Sequence, residues 1–239
     1  TLDGKNVIEV GPGPGGLTRA ILEAAPRSVH AIERDDRCVA ALQSLITASS
    51  GILIVHPDDA LNIDYKNLCP APRVLIANLP YNIATPLLMS WLERLDLFDS
   101  LTLMFQKEVA ERITAPPGNK VYGRLSVMAQ WLCQVEKKFD IPPGAFLPPP
   151  KVTSSVVRFS PIKDRTDNVD IRTMEKVTAA AFGQRRKMLR QSLKSLTPLP
   201  EKLLEAASIA PTLRAEDVDI KGFVRLAQAF LGFSVETKS

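Results

Sequence analysis

The sequence predicts an α/β protein, a mostly parallel sheet with helices on both faces, followed by a small all-α module. Three observations lead there. A short strand expected over residues 6–10 runs into Gly11-Pro12-Gly13-Pro14-Gly15-Gly16 and then Leu17-Thr18-Arg19-Ala20-Ile21-Leu22, the strand, glycine loop and helix of a phosphate-type or nucleoside-type cradle. A second apolar run, Val74-Leu75-Ile76-Ala77, stops abruptly at Asn78-Leu79-Pro80-Tyr81-Asn82. That puts an amide, free carbonyls and an aromatic ring at the carboxyl edge of a sheet, where open α/β folds bind ligands. Beyond Pro161 there is no β signal, and residues 166–239 read as four or five short helices. The domains expected are therefore 1–161, holding the ligand site, and 162–239.

Taken in order, Gly11, Gly13 and Gly16 satisfy a dinucleotide fingerprint, and Glu33, ending the next strand (29–33), is placed to bind a ribose hydroxyl pair. A nicotinamide dehydrogenase is thus a rival. Against it, Glu9 stands two residues before Gly11, where it would repel a pyrophosphate, and Pro12 and Pro14 stiffen the turn. S-adenosylmethionine carries an amino group and a sulfonium and no phosphate, and suits that carboxylate better. A third strand, 52–55, leads into His56-Pro57-Asp58-Asp59-Ala60. An Asp there can accept from an adenine amino group, while Asp58 is expected to be solvated or to form the turn.

At the end of strand 74–77, the Asn78 side-chain oxygen and a carbonyl of Leu79 or Pro80 can accept both N–H bonds of an exocyclic amine, with Tyr81 stacked on the ring. The same residue types also make ordinary strand-to-helix turns. An amphipathic helix over 84–95 follows, with Leu87, Leu88, Trp91, Leu92 and Leu95 as its core face. Strand 101–105 runs into a short helix at Gln106-Lys107-Glu108-Val109, a Pro/Gly-rich loop at 115–120 is expected to be mobile, and another helix begins at Tyr122. Between 139 and 155 five prolines (142, 143, 148, 149, 150) predict a rigid extended loop presenting Phe146. Phe146 either stacks on a ligand or plugs the core. Residues 153–159 alternate as a last strand.

Composition bounds the function. With 239 residues, 45% hydrophobic and 23% charged, and mean hydropathy +0.02, the chain can build one sizeable core and a smaller module. No apolar stretch approaches the length of a membrane span. The start at Thr1 without a charged-then-apolar leader reads as a mature or truncated cytosolic chain. Cys38, Cys69 and Cys133 lack metal-ligand spacing and are expected as buried thiols in a reducing compartment. His30 and His56 are expected to be structural, and no metal is expected. Residues 1–160 carry 16 Lys/Arg and 16 Asp/Glu, residues 161–239 carry 14 and 10, so the net +4 lies in the C-terminal third. Its centre is Lys176, Arg185, Arg186, Lys187, Arg190 and Lys194, with no acid between Glu175 and Glu201. Six like charges over about five helical turns suit a phosphate backbone, the alternative being a solvated helix face.

Six blocks carry a family resemblance. They are Glu9-Val10-Gly11-Pro12-Gly13 through Leu17-Thr18, Asn78-Leu79-Pro80-Tyr81-Asn82, Gln106-Lys107-Glu108-Val109, Tyr122-Gly123-Arg124-Leu125-Ser126-Val127, Phe146 with Pro148-Pro149-Pro150-Lys151-Val152 and Ser154, and Gln184-Arg185-Arg186-Lys187. In that order, over essentially the whole chain, the sequence resembles the bacterial small-subunit ribosomal RNA adenine dimethyltransferases, the kasugamycin-sensitivity family. The resemblance implies a Rossmann-like class I methyltransferase sheet with its last strand antiparallel, S-adenosylmethionine as donor, and dimethylation of N6 on two adjacent adenines in the 3'-terminal hairpin of small-subunit ribosomal RNA. It implies donor contacts at Glu9, Gly11, Gly13, Glu33, Arg34, Asp59, Ala60 and Asn78. Target contacts fall to Asn78, Leu79, Pro80, Tyr81 and Phe146, and RNA contacts to Arg124, Lys151, Arg185, Arg186, Lys187 and Arg190. The partner implied is the small ribosomal subunit, the location the cytoplasm, and a monomer is expected. In one respect the sequence departs from the pattern: the family opens with a basic segment containing Gln-Asn-Phe-Leu, and this sequence starts after it.

Three other functions compete. Macrolide-resistance methyltransferases of large-subunit ribosomal RNA share the Asn78 motif but fit the Tyr122–Val127 block and the Arg185 cluster less well. DNA adenine methyltransferases usually carry an Asp-Pro-Pro-Tyr-type motif instead. A non-enzymatic relative would have lost the donor site, whereas Glu9, Glu33, Asp59 and Asn78 are all present.

Overall fold

A computed structural model describes residues 1–236, with side chains through Phe233; residues 237–239 of the helical module expected at 166–239 lie outside the described residues. The strands are β1 (Asn6–Val10), β2 (Ser28–Ile32), β3 (Leu53–His56), β4 (Arg73–Ala77), β5 (Ser100–Gln106), β6 (Cys133–Ile141) and β7 (Ser154–Pro161). The helices are α1 (Gly16–Glu23), α2 (Asp36–Ala41), α3 (Gln43–Ala48), α4 (Tyr65–Leu68), α5 (Tyr81–Leu92), α6 (Lys107–Thr114), α7 (Arg124–Leu132), α8 (Ile171–Gly183), α9 (Leu189–Ser192), α10 (Pro200–Ala206) and α11 (Ile220–Glu236).

One sheet runs β3-β2-β1-β4-β5-β7-β6. β1 to β5 are parallel and β7 is antiparallel to β5, as the resemblance implied. Because parallel crossovers are right-handed, the reversal of strand order between β1 and β4 sends α1 and α5 to opposite faces and leaves a crevice between the two strand ends. Val7, Ile21, Val29, Ala31, Leu42, Leu45, Leu53 and Val74 fill one core cluster under α1 and α3. β1 is buried along its whole length, so its polar residues must be satisfied within the protein. Asn6 is: its amide donates to the Pro70 carbonyl at 2.8 Å and its oxygen accepts from the Ser28 hydroxyl at 2.8 Å.

The chain divides into two compact units, 1–110 with 136–161, and 111–135 with 162–239. One break lies at 161/162, and 111–135 joins the helical unit. The reason lies in α7. Its Met128 packs under Thr178 of α8, and Arg124 pairs with Glu175 of α8 at 3.1 Å. Tyr122 meets Phe182 edge-on and donates from its hydroxyl to the Val218 carbonyl.

Four expectations need correction. Residues 139–141, expected in a loop, end strand β6. Its Glu136, Lys137, Lys138 and exposed Phe139 lack an apolar alternation because an edge strand has no buried face to enforce one, and charges there discourage edge pairing. Helix α5 spans Tyr81–Leu92, not 84–95. The loop at 115–120, expected to be mobile, is tied down: Gly118 N donates to the Glu216 carbonyl at 2.7 Å, and the Arg185 guanidinium donates to the Lys120 carbonyl. Cys69 and Cys133 are buried as expected, but Cys38 is only half-buried. Among the described residues no helix is long and apolar enough to cross a membrane.

Candidate active site

The ends of four parallel strands meet at a cavity of about 510 Å³ lined by Gly11, Gly13, Glu33, Arg34, Asp59, Ala60, Asn78, Leu79 and Pro80, among others. They come from the turns that follow β1, β2, β3 and β4, which is why residues as far apart in the chain as Gly11 and Pro80 share one pocket. Gly11 has φ +71°, and a side chain there would meet Leu79 Cδ2 at 3.3 Å. The glycine loop and the Asn-Leu-Pro-Tyr turn are thus fitted to one another, and the missing Cβ lets a ligand approach the backbone. Gly15, at φ +92°, would drive a Cβ to 2.5 Å from Leu45. Gly11 N donates to the Ile32 carbonyl at 3.0 Å and Glu33 N to the His56 carbonyl at 3.0 Å, which laces the three loops together.

Glu33 accepts from Gly13 N at 3.1 Å and from Asp35 N at 2.9 Å. A carboxylate has about four lone-pair sites, so the two left over can take a diol. Asp59 accepts from Leu61 N at 3.0 Å and pairs with Arg34 at 3.5 Å. Arg34 is 78% exposed, so this pair at the pocket lip holds orientation more than it adds stability. Asp58 is exposed and caps the turn by accepting from Asp59 N. Behind it, Tyr65 is buried, donates to the Ala60 carbonyl at 2.7 Å and accepts from Trp91 Nε1 at 3.0 Å, fixing the floor of the loop. This brace was not read from the sequence; the aromatics Tyr65 and Trp91 were its only trace.

Asn78 is exposed at the pocket. The Pro80 carbonyl accepts from Ile83 N at 3.1 Å as the first turn of α5, so the Leu79 carbonyl is the better second acceptor for an amine. Tyr81 is half-buried, and its hydroxyl hydrogen-bonds the Ser154 hydroxyl at 2.7 Å. That bond fixes the ring against the start of β7. Phe146 is half-buried, neither a core plug nor part of the cavity lining.

Glu9 is the larger surprise. It is 0% exposed and does not line the cavity. Its two oxygens and the Thr18 hydroxyl are all buried without a hydrogen-bond partner. Burial is what pushes its carboxyl up to about 7. The repulsion of a pyrophosphate inferred from a surface carboxylate therefore does not apply as stated. A carboxyl raised in the folded state favours folding fully below its unfolded value near 4.5, and that contribution is lost as pH rises through about 7. Glu9→Gln should thus gain stability relative to the parent between pH 5 and pH 8, by at most about 3 kcal/mol. Urea unfolding of both proteins at the two pH values tests this, and a difference that does not change with pH would refute it.

His30 Nδ1 and His56 Nε2 lie 3.1 Å apart with their rings stacked, and burial lowers both below the usual histidine value. They tie β2 to β3, the structural role expected of them. Among the described residues no group of three His, Cys, Asp or Glu could hold a metal ion.

The basic cluster does not lie on one helix. α8 ends at Gly183, Arg185, Arg186 and Lys187 occupy the turn that follows, and Arg190 sits in the four-residue α9. Arg185 is engaged with Glu216 at 3.1 Å and with the carbonyls of Lys120 and Tyr122. Arg124 is paired with Glu175. Arg190 is half-buried, its Nε without a partner. Arg186 and Lys187 are exposed, as is Lys151 in the sheet unit.

Comparison with known proteins follows this geometry. The family described as ribosomal RNA adenine dimethylase matches residues 2–230. The chain is 54% identical over 228 residues to the ribosomal RNA small subunit methyltransferase A of Rhodospirillum rubrum, covering 95% of this chain and 79% of that one. A dimethyladenosine transferase from Plasmodium falciparum superposes with TM-score 0.82 at 26% identity, over 96% of this chain and 90% of that one. The 23S rRNA methyltransferase ErmE shares the fold at TM-score 0.70 and 23% identity, over 95% and 91%.

Proposed function

Because the chain belongs to the ribosomal RNA adenine dimethylase family, we propose that it dimethylates N6 of two adjacent adenines in the 3'-terminal hairpin of small-subunit ribosomal RNA, in the cytoplasm, with S-adenosylmethionine as donor. The observation that carries the reading is the crevice between β1 and β4, where Gly11, Gly13, Glu33, Asp59 and Asn78 meet around one cavity. The name of the Rhodospirillum rubrum relative favours the small subunit over the large-subunit alternative.

The donor fits the residues present. Gly11 and Gly13 offer backbone without side chains, Glu33 has free lone pairs for a ribose diol, and Asp59 with Ala60 borders the space for a purine. When bound, the donor supplies a methyl group already activated on a sulfonium. What limits adenine N6 is that its lone pair is conjugated into the ring. In the first transfer Asn78 Oδ1 and the Leu79 carbonyl accept its two N–H bonds and turn that lone pair out of conjugation, and in the second one of them holds the single N–H that remains. Tyr81, held by Ser154, supports the face of the base. A bound donor would supply the methyl carbon and leave as the neutral thioether, and each transfer would release one N6 proton to solvent. No strong base is required, and no histidine lies at the pocket. The base must be unpaired or flipped out of its helix to reach this site.

Titration calorimetry with S-adenosylmethionine and with NAD separates the two donors that the glycine loop alone allowed. Binding of the first without the second is expected. Binding of NAD alone would refute the reading.

A further inference from the structure

Leu147 is 98% exposed, the most exposed large apolar side chain among the described residues, and Val152, later in the same loop, is 42% exposed. A solvated leucine on a floppy loop would mean little. This one is held firmly. Pro142 and Pro143 precede it and Pro148, Pro149 and Pro150 follow it, fixing φ on both sides. The loop is anchored where it returns to the sheet: Lys107 N donates to the Thr153 carbonyl at 2.9 Å and Ser154 bonds Tyr81 at 2.7 Å. Register shows which edge it stands on. Ser154 pairs with Gln106, the last residue of β5, and β5 is parallel to β4. The loop therefore rises from the same carboxyl edge as Asn78.

We propose that Leu147 is a wedge for the RNA, seated in the stacking space that the target adenine vacates and packed, with Val152, on the face of the adjacent nucleobase. The inference rests on the function proposed above, whose substrate has two adjacent adenines. A base drawn into a pocket leaves its neighbour with an unstacked face, and apolar side chains fill such gaps in other nucleic-acid complexes. Three features favour RNA over a protein strand as the occupant. The prolines remove the N–H groups that strand addition would need, exposed Lys151 stands next in sequence, and the loop is bonded to the ring proposed to support the target. A wedge also explains why rigidity matters, since a preorganised side chain loses little freedom on stacking.

The test compares the parent chain with Leu147→Ser and Leu147→Met. The substrates are a hairpin of the target sequence, the same hairpin with 2-aminopurine beside the target adenine, and a short unstructured oligonucleotide containing one adenine. For Leu147→Ser we expect kcat on the hairpin to fall roughly tenfold, in the range of one lost stacking contact, and the 2-aminopurine signal to lose its binding-induced change. Activity on the unstructured oligonucleotide, donor affinity and thermal midpoint should stay at parent values, and Leu147→Met should restore hairpin turnover to within about threefold of the parent. Unchanged hairpin turnover and fluorescence in Leu147→Ser would overturn the wedge, as would equal losses on both RNAs or a lowered thermal midpoint. A parent chain that binds donor and RNA yet methylates neither substrate would overturn the function proposed above, and the wedge with it. Association of Leu147-dependent protein complexes with no change in RNA turnover would assign the surface to a protein partner instead and likewise overturn it.

Discussion

Replacing Asn78 by Ala is expected to cut methyl transfer by ~10²- to 10³-fold, the loss seen when one preorganised polar contact is removed. Donor affinity should change little, within about threefold, because Gly11, Gly13, Glu33 and Asp59 remain in place around the cavity. The asymmetry follows from where Asn78 sits. It is exposed at the first position after β4, and its amide oxygen is needed only when the N6 amine must be turned out of conjugation. Asn78→Asp would keep an acceptor and add a charge, so it should be impaired less than Asn78→Ala if accepting hydrogen bonds is the role. Single-turnover transfer beside a donor titration decides the matter. Equal losses in both would assign Asn78 to the donor alone.

Reversing Arg186 and Lys187 to Glu should weaken RNA binding on the order of 10²-fold at low salt and flatten the slope of log affinity against log salt by roughly two units. These two are chosen because they are exposed, whereas Arg185 is spent on Glu216 and on the carbonyls of Lys120 and Tyr122. Arg185→Ala is therefore expected to lower the thermal midpoint, an effect that neither Arg186 nor Lys187 should show alone. Cations without interleaved aromatics neutralise phosphates and offer no stacking surface, so the loss should extend across RNA sequences. Affinity of the double reversal measured at several salt concentrations, with a scrambled RNA as control, provides the check. An unchanged salt slope would make the cluster a solvated face, and a loss confined to one sequence would make it a base reader.

The parallel sheet, the glycine loop, the Asn78 turn and the family were legible in the residues alone, because each is encoded locally. Buried strands of a parallel sheet are continuous apolar runs, and a turn needing positive φ or a missing Cβ must declare its glycine, as Gly11 and Gly15 do. Features set by partners distant in the chain emerged with the folded packing. β6 is a strand because the sheet supplies a neighbour, not because its charged residues favour one. Residues 111–135 belong with the helices because α7 packs on α8. Arg185 became a structural clamp because Glu216 and two loop carbonyls converge on it from 31, 63 and 65 residues away. Glu9 shows the limit most plainly. Its position before the glycine loop was legible, but the packing that leaves it 0% exposed, and so raises its carboxyl to about 7, was not. Electrostatics depends on the dielectric around a charge, and that is fixed only once the chain has closed over it.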